Sequence, residues 1–220
     1  MLDQPPHARA PACGRPRGAH RMKALRLPLE RAEVDALAVG DLVTVSGTVT
    51  MSIGLPTHQR MVDHLARGEP LPVDLRGGAF FHLSCFNRER ADGQGHEALY
   101  LNPTTSTRYS PYMPSLIEGA GLRLVGGKGG LDDASVQALQ RQGCVYLSFL
   151  GGGCTLLSQA IRRVVAVHWT DYIAQFRLLT LEVEDLGAAT VAIDAHGRSV
   201  YADLRQQAEQ RLQALRAARA

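Results

Sequence analysis

"LRLVGGKGGLDDASVQALQ", residues 122–140, carries the clearest local pattern in this chain. Its first apolar residues, at 122–125, are typical of a buried strand. Four glycines then surround Lys128, and a helix is predicted over 132–142, with aspartates to cap its start and Gly143 to end it. A strand, a glycine-rich turn and a helix in succession are the repeating unit of an α/β domain.

The rest of the chain predicts a similar mixture of elements. Short apolar runs bounded by turn residues predict strands at 42–49, 79–83, 98–101, 144–149, 164–167, 178–183 and 190–193. Helices are predicted at 57–67, 155–161 and 202–218. The last helix has an apolar face that favours docking over a coiled coil: Leu204, Ala208, Leu212 and Leu215. We therefore predict an α/β domain with a mixed sheet.

The composition excludes several classes of protein. With 220 residues and 45% hydrophobic content, the chain can build one sizeable core. Its apolar runs are shorter than the roughly 20 residues of a membrane-spanning helix. A net charge of +3 is too small to favour a nucleic-acid-binding surface. The cysteines are scattered without a CxxC pair, so we expect no metal site on this chain and a reduced, cytoplasmic protein.

The start of the chain differs from the rest. Residues 1–22 are rich in Pro, Arg, Gly and Ala without periodicity, which predicts a disordered leader. Met22 opens an ordinary protein start, so we interpret the leader as a misassigned start of translation or an added tag. An organelle-targeting segment is the alternative. The predicted organisation is this leader, a main domain at 23–205 and a helical tail at 206–220.

The glycine–lysine turn does not fit a nucleotide-binding loop. A Walker loop needs glycine five positions before the Gly–Lys pair and Ser or Thr after it, where this chain has Leu122 and Gly129. The dinucleotide pattern fails because Leu124 stands where the third glycine belongs. Two interpretations remain open. Either the turn and Lys128 bind another anion, or the lysine is a solvated residue in a tight turn.

A second polar loop, "NPTTSTR" at 102–108, strengthens the anion-binding interpretation. Its hydroxyls can donate to or accept from a substrate, and Arg108 can bind a carboxylate with two hydrogen bonds. Taken alone, the loop also fits a polar turn stabilised by Ser and Thr. Two anion-suited loops after neighbouring strands favour one shared site.

With both loops in view, the chain resembles the β subunit, or C-terminal domain, of the iron–sulfur-dependent class I fumarase and L(+)-tartrate dehydratase family. The resemblance extends from about 23 to about 204. The segments that carry it are "GDLVTVSGTV" (40–49), "HQRM" (58–61), "NPTTSTR" (102–108), "VGGKGG" (125–130), "GGGCTLL" (151–157), "VHW" (167–169) and "LEVEDLGAATVAIDAHGRSVY" (181–201).

The resemblance implies a fold, an activity and a partner. The fold is a swivelling β/β/α domain of three layers with a mixed sheet. The activity is that of a hydro-lyase, which reversibly adds or removes water on a hydroxy (di)carboxylic acid. The enzyme is active only with an α subunit, which carries a four-iron four-sulfur cluster that this chain does not bind. The assembly is a hetero-oligomer, such as a heterotetramer, or contains a homodimer of β domains.

The resemblance also assigns roles to individual residues. Five are substrate-binding: Thr104, Thr105, Arg108, Lys128 and Gly129. Of these, Arg108 and Lys128 bind the substrate carboxylate, while Thr104 lies by the reacting carbon and is a candidate for proton transfer. A threonine hydroxyl is a poor base without a partner, so positioning the substrate is the alternative role. His58 is the second catalytic candidate, either as an acid–base group or as an orienting group.

One departure from the family concerns the residues before His58. The family has an Arg–Asp pair at the positions occupied by Gly54 and Leu55, and that Arg binds a substrate carboxylate. Its loss leaves the substrate open: a different hydroxy acid, or the usual one with Arg60 in place of the missing residue. The loss also favours an alternative function, that of a non-catalytic module that binds or senses a small anion.

Overall fold

A computed structural model describes residues 22–218, so the predicted leader, apart from Met22, lies outside the described residues. The strands within this range are β1 (Lys23–Arg26), β2 (Leu42–Met51), β3 (Ala79–Phe81), β4 (Leu83–Glu89), β5 (His96–Pro103), β6 (Leu124–Gly127), β7 (Val145–Phe149), β8 (Ile161–His168) and β9 (Leu178–Ile193). The α-helices are α1 (Arg31–Asp35), α2 (Leu55–Ala66), α3 (Met113–Gly119), α4 (Asp133–Gln142), α5 (Cys154–Ser158) and α6 (Val200–Ala217). Two 3₁₀ helices span Ser106–Tyr112 and Ala174–Phe176.

Each predicted strand and helix overlaps an element of the structure, but β1, α1 and α3 were not predicted, and the strand predicted at 79–83 is divided between β3 and β4. The helix predicted at 155–161 ends earlier, at Ser158, and Ile161 begins β8. The strands predicted at 178–183 and 190–193 are a single strand, β9. Asp185 adopts a left-handed conformation, with φ of 53°, and lets the strand bend while its pairing with β2 continues through Leu186 and Gly187. Long-range pairing therefore keeps the intervening polar residues in the sheet, although their local pattern is that of a turn.

The sheet is mixed, as predicted. Its seven strands have the order β1-β2-β3-β6-β7-β9-β8, and β2 also pairs with β9. This extra pairing closes β2, β3, β6, β7 and β9 into a five-stranded, barrel-like ring. One edge of β9 pairs with β2, while the other pairs with β8 along its first part and with β7 along its last part.

Two hydrophobic cores lie on opposite faces of this sheet. Neighbouring side chains of β3 point to opposite faces, so Phe81 lies in one core and Phe80 in the other. The Phe81 core includes residues of β4, β5, α5 and β9. The Phe80 core includes residues of α2, α3 and α4. Helix α6 contributes little to either core, and its apolar face is uncovered by the described residues, since Leu204 is 61% exposed. The docking role of that face stays a prediction. None of the described helices combines the length and the apolar character needed to cross a membrane.

The predicted caps of α4 are confirmed. The Asp132 side chain accepts a hydrogen bond of 2.9 Å from the Ser135 backbone N–H, and Gly143 ends the helix in the left-handed conformation, with φ of 67°. Strands β2, β3, β6 and β7 run parallel, so their carboxyl ends meet at one edge of the ring. In α/β sheets this edge is the usual place for a ligand.

Closure of the ring predicts a strong dependence of stability on β9. We expect Leu181→Ala to lower the free energy of unfolding by about 2–5 kcal/mol, because it leaves a cavity at a fully buried position. Leu204→Ala is the matched control, since it removes the same atoms from an exposed position and is expected to change stability by less than about 0.5 kcal/mol. Urea denaturation measures both, and equal losses would contradict the assignment of β9 to the core.

Candidate functional site

The two polar loops of the sequence meet at the carboxyl edge of the sheet. Thr105 and Lys128 form a parallel bridge beyond the ends of β5 and β6. The Ser106 backbone N–H donates to the Lys128 carbonyl at 2.8 Å, and the Lys128 backbone N–H donates to the Thr104 carbonyl at 3.0 Å. Backbone hydrogen bonds therefore hold the lysine loop beside the threonine loop.

His82 joins these loops to the sheet. It directly follows β3, where its backbone N–H donates to the Gly126 carbonyl at 2.7 Å and its carbonyl accepts from the Thr104 N–H at 2.9 Å. The carboxyl ends of β3 and β6 are thus linked to the start of the threonine loop. His82 was not among the predicted site residues, because it lies inside the segment 79–83 that was predicted as one strand, whereas β3 ends at Phe81.

The two cationic side chains of the site are available to a ligand. Lys128 is half-buried, Arg108 is exposed, and neither forms an ion pair with any described residue. The turn after β7 lies against the lysine, since a Cβ added to Gly151 would stand 3.6 Å from Lys128 Cδ and 4.0 Å from its Nζ. The Lys128 backbone is paired with Thr104 and Thr105, so an anionic group bound to the lysine would lie close to the threonine loop.

The glycines of the lysine loop permit its close packing. Gly129 and Gly130 have φ of 82° and 78°, a region that favours glycine. A Cβ added to Gly127 would collide with Ser106 Oγ, and one added to Gly130 would stand 2.6 Å from the ring of Tyr201. The predicted need for glycine around Lys128 therefore has a steric cause on both sides of the loop.

His58 is fully buried beneath the loops. Its Nδ1 lies 2.7 Å from the Gly54 carbonyl, and its ring stacks on Tyr109 with centroids 4.2 Å apart. Burial lowers the pKa of His58 to about 4, an effect that the hydrogen bond to Gly54 only partly offsets, so the imidazole is neutral at pH 7. This environment favours the orienting interpretation of His58, because the ring has no exposed surface with which to touch a substrate.

Tyr109 is a second residue that the sequence analysis missed. Its ring stacks on His58 and also on His82, at 4.4 Å, and its hydroxyl donates to the Ile53 carbonyl at 2.8 Å. Burial raises the pKa of Tyr109, while the charge of Arg108 and a hydrogen bond with the Thr104 side chain act in the opposite direction. Tyr109, which directly follows the threonine loop, therefore packs against both buried histidines.

Comparison with known proteins identifies the family. The sequence matches the family described as "Fumarase C-terminus" over residues 1–204. The chain belongs to this family. It is 30% identical to the L(+)-tartrate dehydratase subunit beta of Escherichia coli K12 over 181 residues, which cover 82% of this chain and 87% of that relative.

Two further relatives extend the comparison. A putative L(+)-tartrate dehydratase subunit beta of Methanocaldococcus jannaschii is 28% identical over 85% of this chain and 95% of its own length. A putative fumarate hydratase class I of Geobacillus stearothermophilus is 30% identical over 87% of this chain and 36% of its own length. The predicted resemblance to the class I fumarase and tartrate dehydratase β-subunit family is confirmed.

The structure leaves no room for a side chain at Gly54, one of the two positions where the resemblance implies an Arg–Asp pair. A Cβ added to Gly54 would stand 2.7 Å from Phe176 Cβ and 3.0 Å from Phe176 Cα, so only glycine fits without a backbone shift. Arg60 does not point to a vacant anion site. Its guanidinium binds Asp171 at 2.8 Å and lies over the ring of Tyr172 at 4.4 Å.

The described residues do not fit the family's iron–sulfur cluster. Among them, no three His, Cys, Asp or Glu side chains are grouped so as to hold a metal ion. Cluster ligands are thiolates, whereas Cys85 and Cys144 are buried, and burial raises the pKa of the Cys85 thiol to about 12 and that of Cys144 further.

The buried histidines predict a loss of stability in acid. Because the pKa of His58 falls from its ordinary value of 6.5 to about 4 on folding, the unfolded chain binds more protons between these values. Stability is therefore complete above pH 6.5 and falls as the pH decreases toward 4. At about 1.4 kcal/mol per pKa unit, His58 alone lowers the free energy of unfolding by about 3 kcal/mol across this window.

Urea denaturation across this pH range measures the effect. His58→Gln removes the titrating group, so we expect a shallower dependence of stability on pH, whereas Leu204→Ala keeps that of the wild type. His82 acts in the same direction, since burial lowers its pKa as well. An unchanged slope in His58→Gln would show that this histidine is not buried in its neutral form.

Proposed function

We propose that this chain is the β subunit of an iron–sulfur-dependent hydro-lyase that reversibly adds or removes water on a hydroxy (di)carboxylic acid. The observation that carries the proposal is the backbone pairing of Thr104, Thr105 and Ser106 with Lys128, which places the loop that carries Arg108 beside Lys128 in a member of the fumarase family. Neither cation has an ion-pair partner among the described residues. The relatives named L(+)-tartrate dehydratase and fumarate hydratase support the reaction class.

The roles of the loop residues follow from their chemistry. Arg108 binds a substrate carboxylate through two parallel hydrogen bonds, and Lys128 adds a point charge in a half-buried position. Thr105 and Gly129 line the space between these cations. Thr104 positions the substrate near its reacting carbon.

The partner in this proposal is an α subunit that carries the four-iron four-sulfur cluster and supplies its chemistry to the shared site. Two observations support it. The described residues of this chain do not fit the cluster, and three apolar side chains at the carboxyl edge of the sheet are exposed, as subunit contacts require: Leu55, Leu150 at 66% and Ile173 at 62%.

The architecture fits the same proposal. The main domain at 23–205 is a swivelling, three-layer β/β/α domain that closes over substrate bound between the subunits, and 206–220 is its tail. The closed ring of strands, with α2, α3 and α4 packed on one face and α1 and α5 contributing to the core on the other, is consistent with such a rigid unit. A cytoplasmic hetero-oligomer, such as a heterotetramer, is the expected assembly.

The cations of the site give the first test of this function. In the complex reconstituted with the α subunit and assayed without oxygen, we expect Lys128→Ala and Arg108→Ala each to lower kcat/KM about 10-fold or more, because each removes a charge-assisted hydrogen bond to the substrate. The matched controls are Lys23→Ala and Arg67→Ala, which remove exposed cations paired with Asp41 and Glu69. Wild-type activity in both site variants would refute the assignment.

The lost Arg–Asp pair predicts a substrate preference. Because Gly54 has no room for a side chain and Arg60 is bound to Asp171, we expect a hydroxy acid other than malate or tartrate to give the highest kcat/KM. A panel of hydroxy-diacids and hydroxy-monoacids measures this preference. Arg60→Ala is expected to leave the preference unchanged, and best turnover of fumarate or malate would contradict the inference.

A non-catalytic module that binds a small anion is the second candidate function, and the crowding of Gly54 by Phe176 is the observation that favours it. Purification from the native source separates the two functions. A brown, oxygen-sensitive complex with a second polypeptide supports the hydro-lyase. A colourless chain that purifies alone and binds hydroxy acids without turnover supports the module.

A further inference from the structure

A chain of buried polar groups lies beneath the two loops, and the proposed function leaves it unused. Its centre is the hydroxyl of Ser106, which is fully buried although it belongs to the threonine loop. Tyr146 Oη, from β7, donates to Ser106 Oγ at 2.8 Å, and His82 Nδ1 lies 2.8 Å from the same oxygen. Ser106 therefore joins three segments that are distant in the sequence.

The directions of these hydrogen bonds define the state of His82. Because Tyr146 donates to Ser106, the proton of the Ser106 hydroxyl has His82 Nδ1 as its acceptor among the described residues. A neutral imidazole whose Nδ1 accepts carries its proton on Nε2. His82 is therefore assigned to the Nε2–H tautomer.

The neighbouring histidine has the opposite tautomer. His58 Nδ1 lies 2.7 Å from the Gly54 carbonyl, and a carbonyl only accepts, so His58 carries its proton on Nδ1. Its Nε2 is then an acceptor. The Nε2 atoms of His58 and His82 are buried without a hydrogen-bond partner among the described residues, on rings whose centroids are 5.3 Å apart. In these tautomers His82 Nε2 carries a proton and can donate a hydrogen bond, whereas His58 Nε2 carries none and can accept one.

We propose that Tyr146, Ser106, His82 and His58 form a positioning network that holds the substrate-facing segments in register. Ser106 fixes the threonine loop, and through its backbone N–H it fixes Lys128. His58 fixes the start of α2 at Gly54. Tyr109 stacks on both histidines and keeps them together. None of the four network members is a catalytic residue, since all are buried away from a ligand.

The tight fit around Ser106 supports this assignment independently of the hydrogen bonds. A Cβ added to Gly127 would collide with Ser106 Oγ and stand 3.1 Å from His82 Cβ. The lysine loop therefore packs directly on the serine–histidine pair. The hydrogen bonds that Ser106 does form favour one geometry, because breaking either would leave a desolvated group unpaired.

Nitrogen-15 NMR of the full chain tests the network without reference to activity. In the wild type at pH 7 we expect His82 as the Nε2–H tautomer and His58 as the Nδ1–H tautomer. Ser106→Ala is expected to change the tautomer population of His82 and to shift the backbone amide signals of Thr104 and Lys128. Thr107→Ala is the matched control, since it removes an exposed hydroxyl one residue along and is expected to leave these signals in place.

Two outcomes would overturn the proposal: His82 protonated on Nδ1 in the wild type, or unchanged Thr104 and Lys128 amides in Ser106→Ala. If Ser106→Ala does not fold, Tyr146→Phe removes only the hydroxyl that donates to Ser106. We expect it to shift the Lys128 amide and to keep the His82 tautomer. An unshifted amide there would also contradict the network.

The activity readout rests on the proposed function. In the reconstituted complex we expect Ser106→Ala to lower kcat/KM at least about 10-fold per folded molecule, and Thr107→Ala to change it by less than about 2-fold. A merely structural serine would reduce the folded fraction and leave kcat/KM per folded molecule unchanged. A complex that turns over no hydroxy acid would refute the proposed function. The histidine tautomers measured by NMR would still test the network, because that measurement does not depend on activity.

Discussion

The antiparallel pairing between β2 and β9 is the constraint on which the rest of the structure depends. It turns an open mixed sheet into a closed ring, because β9 pairs with β2 along one edge and with β7 along the other. Closure fixes the angle between neighbouring strands and separates two cores, one on each face. β9 is 16 residues long, and one of its edges pairs with β8 along its first part and with β7 along its last part.

Closure also determines where chemistry can occur. Four parallel strands end at one edge of the ring, and each contributes a segment there: the start of α2 after β2, His82 after β3, Lys128 after β6 and Gly151 after β7. The threonine loop arrives from the separate β4–β5 hairpin and is attached to this edge by backbone hydrogen bonds. The site is therefore an extension of the sheet, with the rigidity of the sheet behind it.

Charge and burial divide the site into two levels. The upper level has exposed or half-buried cations, Arg108 and Lys128, that have no ion-pair partner among the described residues. The lower level has neutral groups, since burial lowers the pKa of His58 and of His82. Neutral histidines add no charge beneath the loops, so the positive charge in this part of the structure comes from Arg108 and Lys128.

Local sequence pattern was enough to predict most of the strands and helices and both loops. Asp132, Gly143 and the glycines around Lys128 act through backbone geometry within a few residues, so their effects were predictable from their order in the chain. The likeness of these loops to the fumarase family was also present in the sequence, and the family match confirms it.

Three features could not be read from the sequence: the continuity of β9, the burial of His58, and the contact between the His82 and Tyr109 rings. These features depend on pairing and packing between segments tens of residues apart. The local sequence around each of these residues does not identify its partner, because the two come together only when the ring of strands closes.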